Sequence, residues 1–145
     1  MVYFVDTNIF IRILVKEDER SFHECFQFFQ RAYSGKIKII TSSLVLAEVH
    51  WVLSSFYRFE KDKTIEALQN ILNTRVRVKD GSNVSFALEM FRNTNVKLTD
   101  AFIASHPLIE KRRATIVSYD KDFDKLGIPR KEPGEIIKKR KGMVY

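Results

Sequence analysis

Short apolar runs alternate with segments of helical periodicity along the chain, and this alternation most limits the fold. Strand-like runs of β-branched and aromatic residues lie at about residues 2–6, 36–40, 76–78 and 115–118. Strands that alternate with helices are typical of an α/β fold built on a parallel sheet. There is no internal repeat or low-complexity linker, so we expect a single domain over residues 1–145.

Two aspartates stand where predicted strands end. Asp6 follows the apolar run that ends at Val5, and Asp120 follows the strand that ends near Ser118. Open parallel sheets bind their ligands at the C-terminal ends of the strands. Asp6 has a simpler explanation as well, because an aspartate at that position also caps the following helix. We expect both carboxylates at the same edge of the sheet.

Two further acids lie on predicted helices. Glu48 lies in or beside an apolar stripe that contains Val45 and Val49, where a lone buried carboxylate costs several kcal/mol unless it is paired. Asp100 opens a helix for which Thr99 is the predicted N-cap, and the helix dipole alone favours an acid there by about 0.3–1 kcal/mol. We predict that these two acids join the two strand-end aspartates around a divalent metal.

The ligand types favour Mg²⁺ or Mn²⁺ over zinc. Carboxylate oxygens are hard ligands, whereas the single cysteine, Cys25, lies in an aromatic stripe and the three histidines show no ligand spacing. Carboxylates packed together raise the pKa of at least one of them unless a cation offsets the repulsion. Such an ion also activates water and stabilises charge in phosphoryl displacement. The sequence has no phosphate-binding P-loop and no GxSxG elbow.

The charge of the chain points to polyanions. Net charge is +7 with a pI near 9.6, which favours RNA or DNA as a partner. Part of the excess lies in a basic C-terminal tail, residues 138–145, which is also compatible with a solvated tail. The lone cysteine cannot form an internal disulfide, and we see no signal peptide or membrane span. We therefore expect a cytoplasmic protein without a membrane partner.

The four acidic segments occur in an order that resembles a known family. They are Val5-Asp6-Thr7-Asn8, Leu46-Ala47-Glu48-Val49, Leu98-Thr99-Asp100-Ala101 and Val117-Ser118-Tyr119-Asp120. Each is short, but their order and spacing match the acidic motifs of PIN domains, from Tyr3 to about Ile137. Within that family the chain is most similar to the single-domain VapC-type toxins of toxin–antitoxin pairs.

The resemblance implies a three-layer α/β/α PIN-like fold with a central parallel β-sheet, and a Mg²⁺- or Mn²⁺-dependent endoribonuclease. It makes Asp6, Glu48, Asp100 and Asp120 the catalytic, metal-binding acids. Asn8, Ser118 and Asp122 take auxiliary positions. It also implies an RNA substrate, a small antitoxin partner and a homodimer.

Three cations are candidate contacts for substrate phosphates: Arg12, Lys97 and Lys121. Ordinary surface charge is the alternative explanation for each. The chain departs from the family pattern at His106-Pro107, where such sequences usually continue an alanine-rich helix. We expect Pro107 to kink or interrupt the helix there.

Two other functions remain open from the sequence. In one, the domain binds RNA or a partner without cutting, through an exposed aromatic patch formed by residues 56–59. The alternative explanation of these rings is that they close the core. A DNA nuclease is the other alternative, because structure-specific nucleases carry a similar acidic cluster. For the expected dimer, Phe22, Phe28 and Phe29 give the second helix more aromatic surface than one buried stripe needs.

Overall fold

A computed structural model describes residues 1–138 as a five-stranded sheet flanked by helices. The rest of the predicted basic tail, residues 139–145, lies outside the described residues. The strands are β1 Val2–Val5, β2 Lys38–Thr41, β3 Arg77–Val78, β4 Ala114–Val117 and β5 Arg130–Lys131. Their order in the sheet is β3-β2-β1-β4-β5, and every neighbouring pair is parallel.

Helices connect the strands, as parallel pairing requires. They are α1 Thr7–Leu14, α2 Glu19–Tyr33, α3 Ser43–Ser55, α4 Lys61–Leu72, α5 Val84–Asn93, α6 Leu98–Ala104, α7 Pro107–Glu110 and α8 Pro133–Ile137. A 3₁₀ helix, Lys121–Leu126, follows β4. Helices α1, α2, α3, α4 and α8 pack in one group, and α5, α6 and α7 in another. This arrangement confirms the predicted α/β/α fold with a central parallel sheet.

The core is centred on β1. Its residues Phe4 and Val5 are fully buried, and the register pairs Val5 with Val117 of β4. Strand β5 is not predicted from the sequence, because its two residues, Arg130 and Lys131, are both charged and form no apolar run. None of the helices within residues 1–138 is both long and apolar enough to cross a bilayer.

Tyr33 and Phe56 fall at the helical spacing of the apolar residues in α2 and α3, so the sequence predicts both rings to be buried. In α2, Phe28 and Phe29 lie in the core while Tyr33 is 63% exposed. In the α3 region, Phe56 is the C-cap and is 72% exposed, because the helix ends at Ser55 and the ring turns out of the stripe. Burial of Phe28 and Phe29 makes the predicted subunit contact through these two rings wrong.

Pro107 interrupts a helix, as predicted. Helix α6 ends at Ala104, and α7 begins at Pro107 with His106 as its N-cap. The Leu108 N–H donates to His106 Nδ1 at 3.2 Å, and His106 Nε2 lies 3.0 Å from the Lys79 carbonyl oxygen. With Nδ1 accepting, Nε2 carries the proton and donates to that carbonyl. The buried histidine therefore joins the break between the helices to the loop after β3.

Candidate active site

The C-terminal ends of β1 and β4 meet at the point where the strand order reverses. From β1 the chain places β2 and β3 on one side and β4 and β5 on the other. In open parallel sheets this reversal creates the crevice where ligands bind. Asp6 follows β1 and Ser118 follows β4, and the Asp6 N–H donates to the Val117 carbonyl at 3.1 Å. The sheet therefore brings these two segments into direct contact.

Asp6 caps α1 and is also held from β4. Its Oδ1 accepts from the Thr7 N–H at 2.8 Å. Its Oδ2 accepts from the Ser118 hydroxyl at 2.7 Å and from Asn8 Nδ2 at 3.2 Å. A carboxylate offers about four lone-pair sites, so these three donors leave room for another partner. The geometry is therefore compatible with Asp6 acting both as the N-cap of α1 and as a ligand in the site.

Ser118 connects three predicted site residues. Besides donating to Asp6, its hydroxyl oxygen accepts from Asn8 Nδ2 and from the Asp120 N–H, each at 3.0 Å. Asn8 Oδ1 in turn accepts from the Tyr119 N–H at 3.2 Å. Ser118 is fully buried. The side chains of Asn8 and Ser118 therefore orient the Asp6 carboxylate, and Ser118 also holds the backbone at Asp120.

Glu48 approaches from α3, and the start of that helix is fixed by an aspartate far along the chain. Asp80 accepts from the Ser43 N–H and from the Ser43 hydroxyl, each at 2.7 Å. These bonds lower the pKa of Asp80, because they stabilise its ionised form. Helix α3 packs against α1, which places half-buried Glu48 near Asp6.

Asp100 lies in the first turn of α6 and is 5% exposed. The predicted N-cap, Thr99, is wrong: the N-cap is Lys97, without a side-chain capping bond, because the helix begins at Leu98, two residues before the predicted start at Asp100. Asp100 Oδ2 is buried and has no hydrogen-bond partner among the described residues. An unpaired buried carboxylate oxygen is costly, and a bound cation is one partner that would satisfy it.

Asp120 and Asp122 stand at the start of the 3₁₀ helix. Asp120 is its N-cap and accepts from the Asp122 N–H at 2.9 Å. One carboxylate oxygen from each of Asp100, Asp120 and Asp122 lies within 4.8 Å of the others. Asp122 Oδ1 also forms a 2.9 Å ion pair with Lys125. The closest group of candidate metal ligands therefore includes one residue that the sequence placed in an auxiliary position.

A cavity of about 220 Å³ collects the predicted acids. Its lining residues are Asp6, Thr7, Asn8, Ile11, Glu48, Val52, Lys97, Thr99, Asp100 and Asp120. Within residues 1–138, two buried side-chain atoms lack a hydrogen-bond partner, Thr7 Oγ1 and Asp100 Oδ2, and both residues line this cavity. A larger cavity of about 700 Å³ between α2 and α4 has no carboxylate in its lining, so it offers no acidic ligand for a metal ion.

Burial and the repulsion of neighbouring carboxylates raise the pKa values of Asp6 and Asp100. Burial raises the pKa of Asp6 to about 6, with smaller contributions from the charges of Glu48 and Asp120, against the opposing hydrogen bonds from Ser118 and Thr7. Burial also raises the pKa of Asp100 to about 7, with the charges of Asp6 and Asp120 adding to the rise and Lys97 opposing it. A divalent cation would remove this penalty.

The donor set fits a hard divalent cation. All candidate ligands are carboxylate oxygens, with no cysteine or histidine in the cavity lining. Oxygen-only sites suit Mg²⁺ or Mn²⁺. The unpaired Asp100 oxygen and the raised carboxyl pKa values are the features of this structure that such an ion would satisfy.

The three predicted substrate-binding cations lie in different surroundings. Lys97 lines the cavity. Arg12 donates to the Ser21 hydroxyl at 2.9 Å and lies 4.8 Å from the centre of the Tyr119 ring, so its guanidinium connects α1, α2 and the segment after β4. Lys121 is exposed at the start of the 3₁₀ helix and does not line the cavity. Substrate contact by all three stays a prediction.

Sequence reasoning missed two contributors. Thr7 lines the cavity with an unpaired hydroxyl, and its motif position beside Asp6 was the available signal. Arg130, in the unpredicted strand β5, donates to the Ser118 carbonyl at 3.1 Å and forms two bonds to Asp124 at 3.0 and 3.1 Å. No local sequence signal identifies Arg130, because its role depends on the pairing of β5 with β4.

The family model for the PIN domain matches residues 3–129. The chain belongs to the PIN domain family. That match spans most of the chain and confirms the resemblance carried by the four acidic motifs. No curated protein matches the chain in sequence.

Solved structures with the same fold include three VapC proteins or their complexes. VapBC2 from Rickettsia felis, bound to a DNA fragment from their promoter, is 23% identical with a TM-score of 0.67, over 91% of this chain and 98% of that chain. VapC20 from Mycobacterium tuberculosis, a sarcin-ricin loop cleaving toxin, is 20% identical with a TM-score of 0.61, over 88% and 96%. VapBC-1 from nontypeable Haemophilus influenzae is 19% identical with a TM-score of 0.62, over 92% and 98%. At these identities the likeness establishes that this PIN domain shares their fold.

Proposed function

We propose that this PIN domain is a divalent-metal-dependent endoribonuclease, the toxin of a VapBC-type toxin–antitoxin pair. One observation carries the proposal: four acids from four distant segments line one cavity, where Asp100 Oδ2 is buried without a partner among the described residues. The similarity in fold to VapC20, described as a sarcin-ricin loop cleaving toxin, supports RNA as the substrate class. The net charge of +7 supports a polyanionic substrate.

The metal would be held by Asp100 and Asp120, with Asp6 and Glu48 completing the site and Asp122 as an auxiliary ligand. Mg²⁺ or Mn²⁺ bound there supplies an activated water and neutralises charge on the phosphate during hydrolysis. Asp100 carries a raised pKa in the metal-free chain, so binding a cation releases its proton near neutral pH. Asn8 and Ser118 keep Asp6 oriented through the three hydrogen bonds between them.

Lys97 is the residue of this chain best placed to attract the substrate. It lines the cavity beside Asp100 and opposes the rise in the pKa of that carboxyl. A cation at the rim of an acidic cavity favours approach of a phosphate that the acids alone would repel. We infer that Lys97 contacts a substrate phosphate next to the bond that is cut.

We further propose a small antitoxin that blocks the acidic cavity. Two of the similar structures are VapBC assemblies, which supports a protein partner of this kind. A partner that inserts a cationic side chain among four carboxylates would compete with the metal and with RNA. Inhibition that is relieved by excess Mg²⁺ would support this location for the block.

The homodimer remains a proposal. Exposed apolar side chains on α5, namely Val84, Leu88 and Phe91, are candidates for its contact, since Phe28 and Phe29 are buried within one chain. Light scattering at micromolar concentration tests this: we expect twice the chain mass, and a monomeric mass would contradict it. We also propose that residues 1–145 act as one domain and that the protein acts in the cytoplasm, where its lone buried cysteine stays reduced.

Cleavage of end-labelled single-stranded RNA and of a DNA of the same sequence tests the function. With Mg²⁺ or Mn²⁺ we expect the wild-type chain to cut RNA, and Asp6→Asn or excess chelator to abolish cutting. Preferential cutting of DNA would show that the substrate is DNA and that the proposed RNA substrate is wrong. Activity that survives both Asp6→Asn and chelator would overturn the proposal, as would metal-independent binding without any turnover.

A further inference from the structure

A second cavity, of about 510 Å³, is lined by residues of β1, β2 and β3 and of the segments beside them. Several of its lining residues stand at or just before the starts of strands, including Val2 of β1, Lys38 of β2 and Arg77 of β3. The acids follow the ends of β1 and β4. The register pairs Arg77 with Ile40, near the end of β2, so the cavity runs along β2 and β3 and is not confined to the edge where strands begin. It is distinct from the acidic cavity because the two share no lining residue.

This cavity is lined by five cations and no acid. They are Lys38, Arg75, Arg77, Lys79 and Arg113, from three separate segments of the chain. All five are exposed, and within residues 1–138 none forms an ion pair. Converging like charges repel one another, and an anion between them relieves that repulsion. The arrangement is therefore complementary to a polyanion.

The backbone that carries the cations is held in place. The Lys79 N–H donates to the Thr41 carbonyl at 2.8 Å, and its own carbonyl accepts from His106. The Arg113 N–H donates to the Leu108 carbonyl at 2.7 Å. A site on fixed backbone orients its side chains better than one on a free loop. The cations of this cavity are therefore partly pre-organised.

Arg75 occupies a position where glycine is the usual residue. It lies just after α4 with a φ of 66°, in the left-handed region. That conformation is unfavourable for a residue with a Cβ. Its guanidinium lies 5.3 Å from the centre of the Tyr33 ring and reaches toward Gly35, where a Cβ would be 3.9 Å from Nη1. The Arg75 head group is thus directed to the cavity despite an unfavourable backbone.

We propose that this basic cavity binds phosphate groups, and that they belong to an RNA strand some nucleotides away from the bond that is cut. Three of the five cations are arginines, whose planar guanidinium groups match phosphate oxygens in pairs. The choice of RNA over a free polyphosphate rests on the proposed function. The cavity would then anchor the RNA while the acidic cavity acts on another part of it.

The test is RNA binding without cleavage, measured with the full chain in excess chelator. Fluorescence anisotropy of a labelled single-stranded RNA is followed over a series of salt concentrations. The cavity variant is Arg77→Gln/Arg113→Gln. The matched control is Lys61→Gln/Arg92→Gln, which removes the same charge from exposed positions on α4 and α5 that line neither cavity. Thermal unfolding checks that both variants are folded.

We expect the cavity variant to weaken RNA binding about tenfold and to reduce the salt slope by roughly 1.4, from about 0.7 for each of two lost phosphate contacts. The control should change affinity less than about twofold, with its slope unchanged. Equal losses in both variants would overturn the proposal, because net charge alone would then explain binding. Calorimetric titration with inorganic triphosphate tests the other source of phosphate. If the cavity variant loses triphosphate binding but binds RNA as the wild type does, the cavity binds a free polyphosphate and the RNA part of the proposal is wrong. If neither ligand responds to the cavity variant, the proposal is wrong.

This assay is independent of catalysis. A chain that fails to cut RNA with Mg²⁺ or Mn²⁺ but binds it through the cavity would contradict the proposed function and leave the cavity proposal standing. If the wild-type chain cuts RNA while the cavity and control variants bind RNA with equal affinity, the proposed function stands and the cavity proposal is wrong.

Discussion

The Ser118 hydroxyl donates a 2.7 Å hydrogen bond to Asp6 Oδ2 across 112 positions of the chain. The bond exists because β1 and β4 are paired in parallel, with Val5 opposite Val117. It also lowers the pKa of Asp6 against the larger effect of burial. One hydroxyl thus links the topology of the sheet to the ionisation of its strand-end acid.

Replacing that hydroxyl tests its positioning role. Ser118→Ala removes the donor to Asp6 and leaves the Asp120 N–H without its acceptor. We expect metal affinity and RNA cleavage to fall about 10–100-fold, as for other residues that orient metal ligands. The pKa of Asp6 should rise further, moving the acid limb of the pH–rate profile upward. Ser54→Ala, whose hydroxyl bonds to carbonyl groups within α3, is the control. An unshifted pH profile would contradict the role.

The raised carboxyl pKa values make the metal-free protein less stable as pH rises. The pKa of Asp6 goes from 3.8 unfolded to about 6, and that of Asp100 to about 7, so the folded state binds more protons in this window. Their stabilising contribution is therefore full below about pH 4 and lost as pH rises through about 6–7. For fully buried Asp6 the loss is of the order of 3 kcal/mol.

Denaturant unfolding in chelator between pH 4 and pH 8 measures this change. Wild type minus Asp6→Asn should show the falling free energy of unfolding, because the amide does not titrate. Mn²⁺ should restore stability to the wild type at pH 7. A difference that is flat with pH would show that Asp6 ionises normally.

Comparing variants of Asp120 and Asp122 shows which of the two is a primary metal ligand and which is auxiliary. Both lie in the close group with Asp100, but Asp122 is also paired with Lys125 at 2.9 Å. We expect Asp120→Asn to reduce Mn²⁺ affinity strongly and Asp122→Asn to reduce it less. Calorimetric titration of the two variants gives the comparison. The opposite ranking would make Asp122 a primary ligand.

Arg130 lies outside the acidic cavity, but we expect its replacement to lower both the free energy of unfolding and the rate of RNA cleavage. Its guanidinium is largely buried and donates to the Ser118 carbonyl as well as to Asp124. Charged hydrogen bonds of this kind contribute about 1.5–3 kcal/mol, so Arg130→Gln should lower the free energy of unfolding by that order. Cleavage should fall too, because Ser118 loses a support. Arg92→Gln, on the exposed face of α5, is the control; equal effects would show that only charge matters.

The sequence predicts the main features of the fold because apolar runs followed by a polar residue mark where strands end. Asp6 and Asp120 follow apolar runs, and parallel pairing places such ends at one edge. Glu48 was noticeable because an acid beside an apolar stripe needs a partner. The break at Pro107 also follows from its missing N–H.

Other features depend on contacts that local patterns do not encode. Strand β5 consists of two charged residues without an apolar run, so the sequence predicts neither the strand nor the role of Arg130. Tyr33 and Phe56 fit apolar stripes but are exposed, because the neighbouring helices cover only part of each face. Membership of Asp122 in the close acidic group depends on the 3₁₀ turn after β4. Periodicity locates helices better than it locates the rotation of their buried faces.

Titration of the metal-free chain with Mn²⁺ tests the central claim most directly, because it measures binding at the acids without any assumption about substrate. Asp100→Asn is the decisive variant, since its unpaired buried oxygen is the best candidate ligand. Asp62→Asn, an exposed acid on α4, is the control. We expect saturable binding to the wild type and the control, and binding weakened at least tenfold in Asp100→Asn. Equal affinity in all three chains would contradict the account.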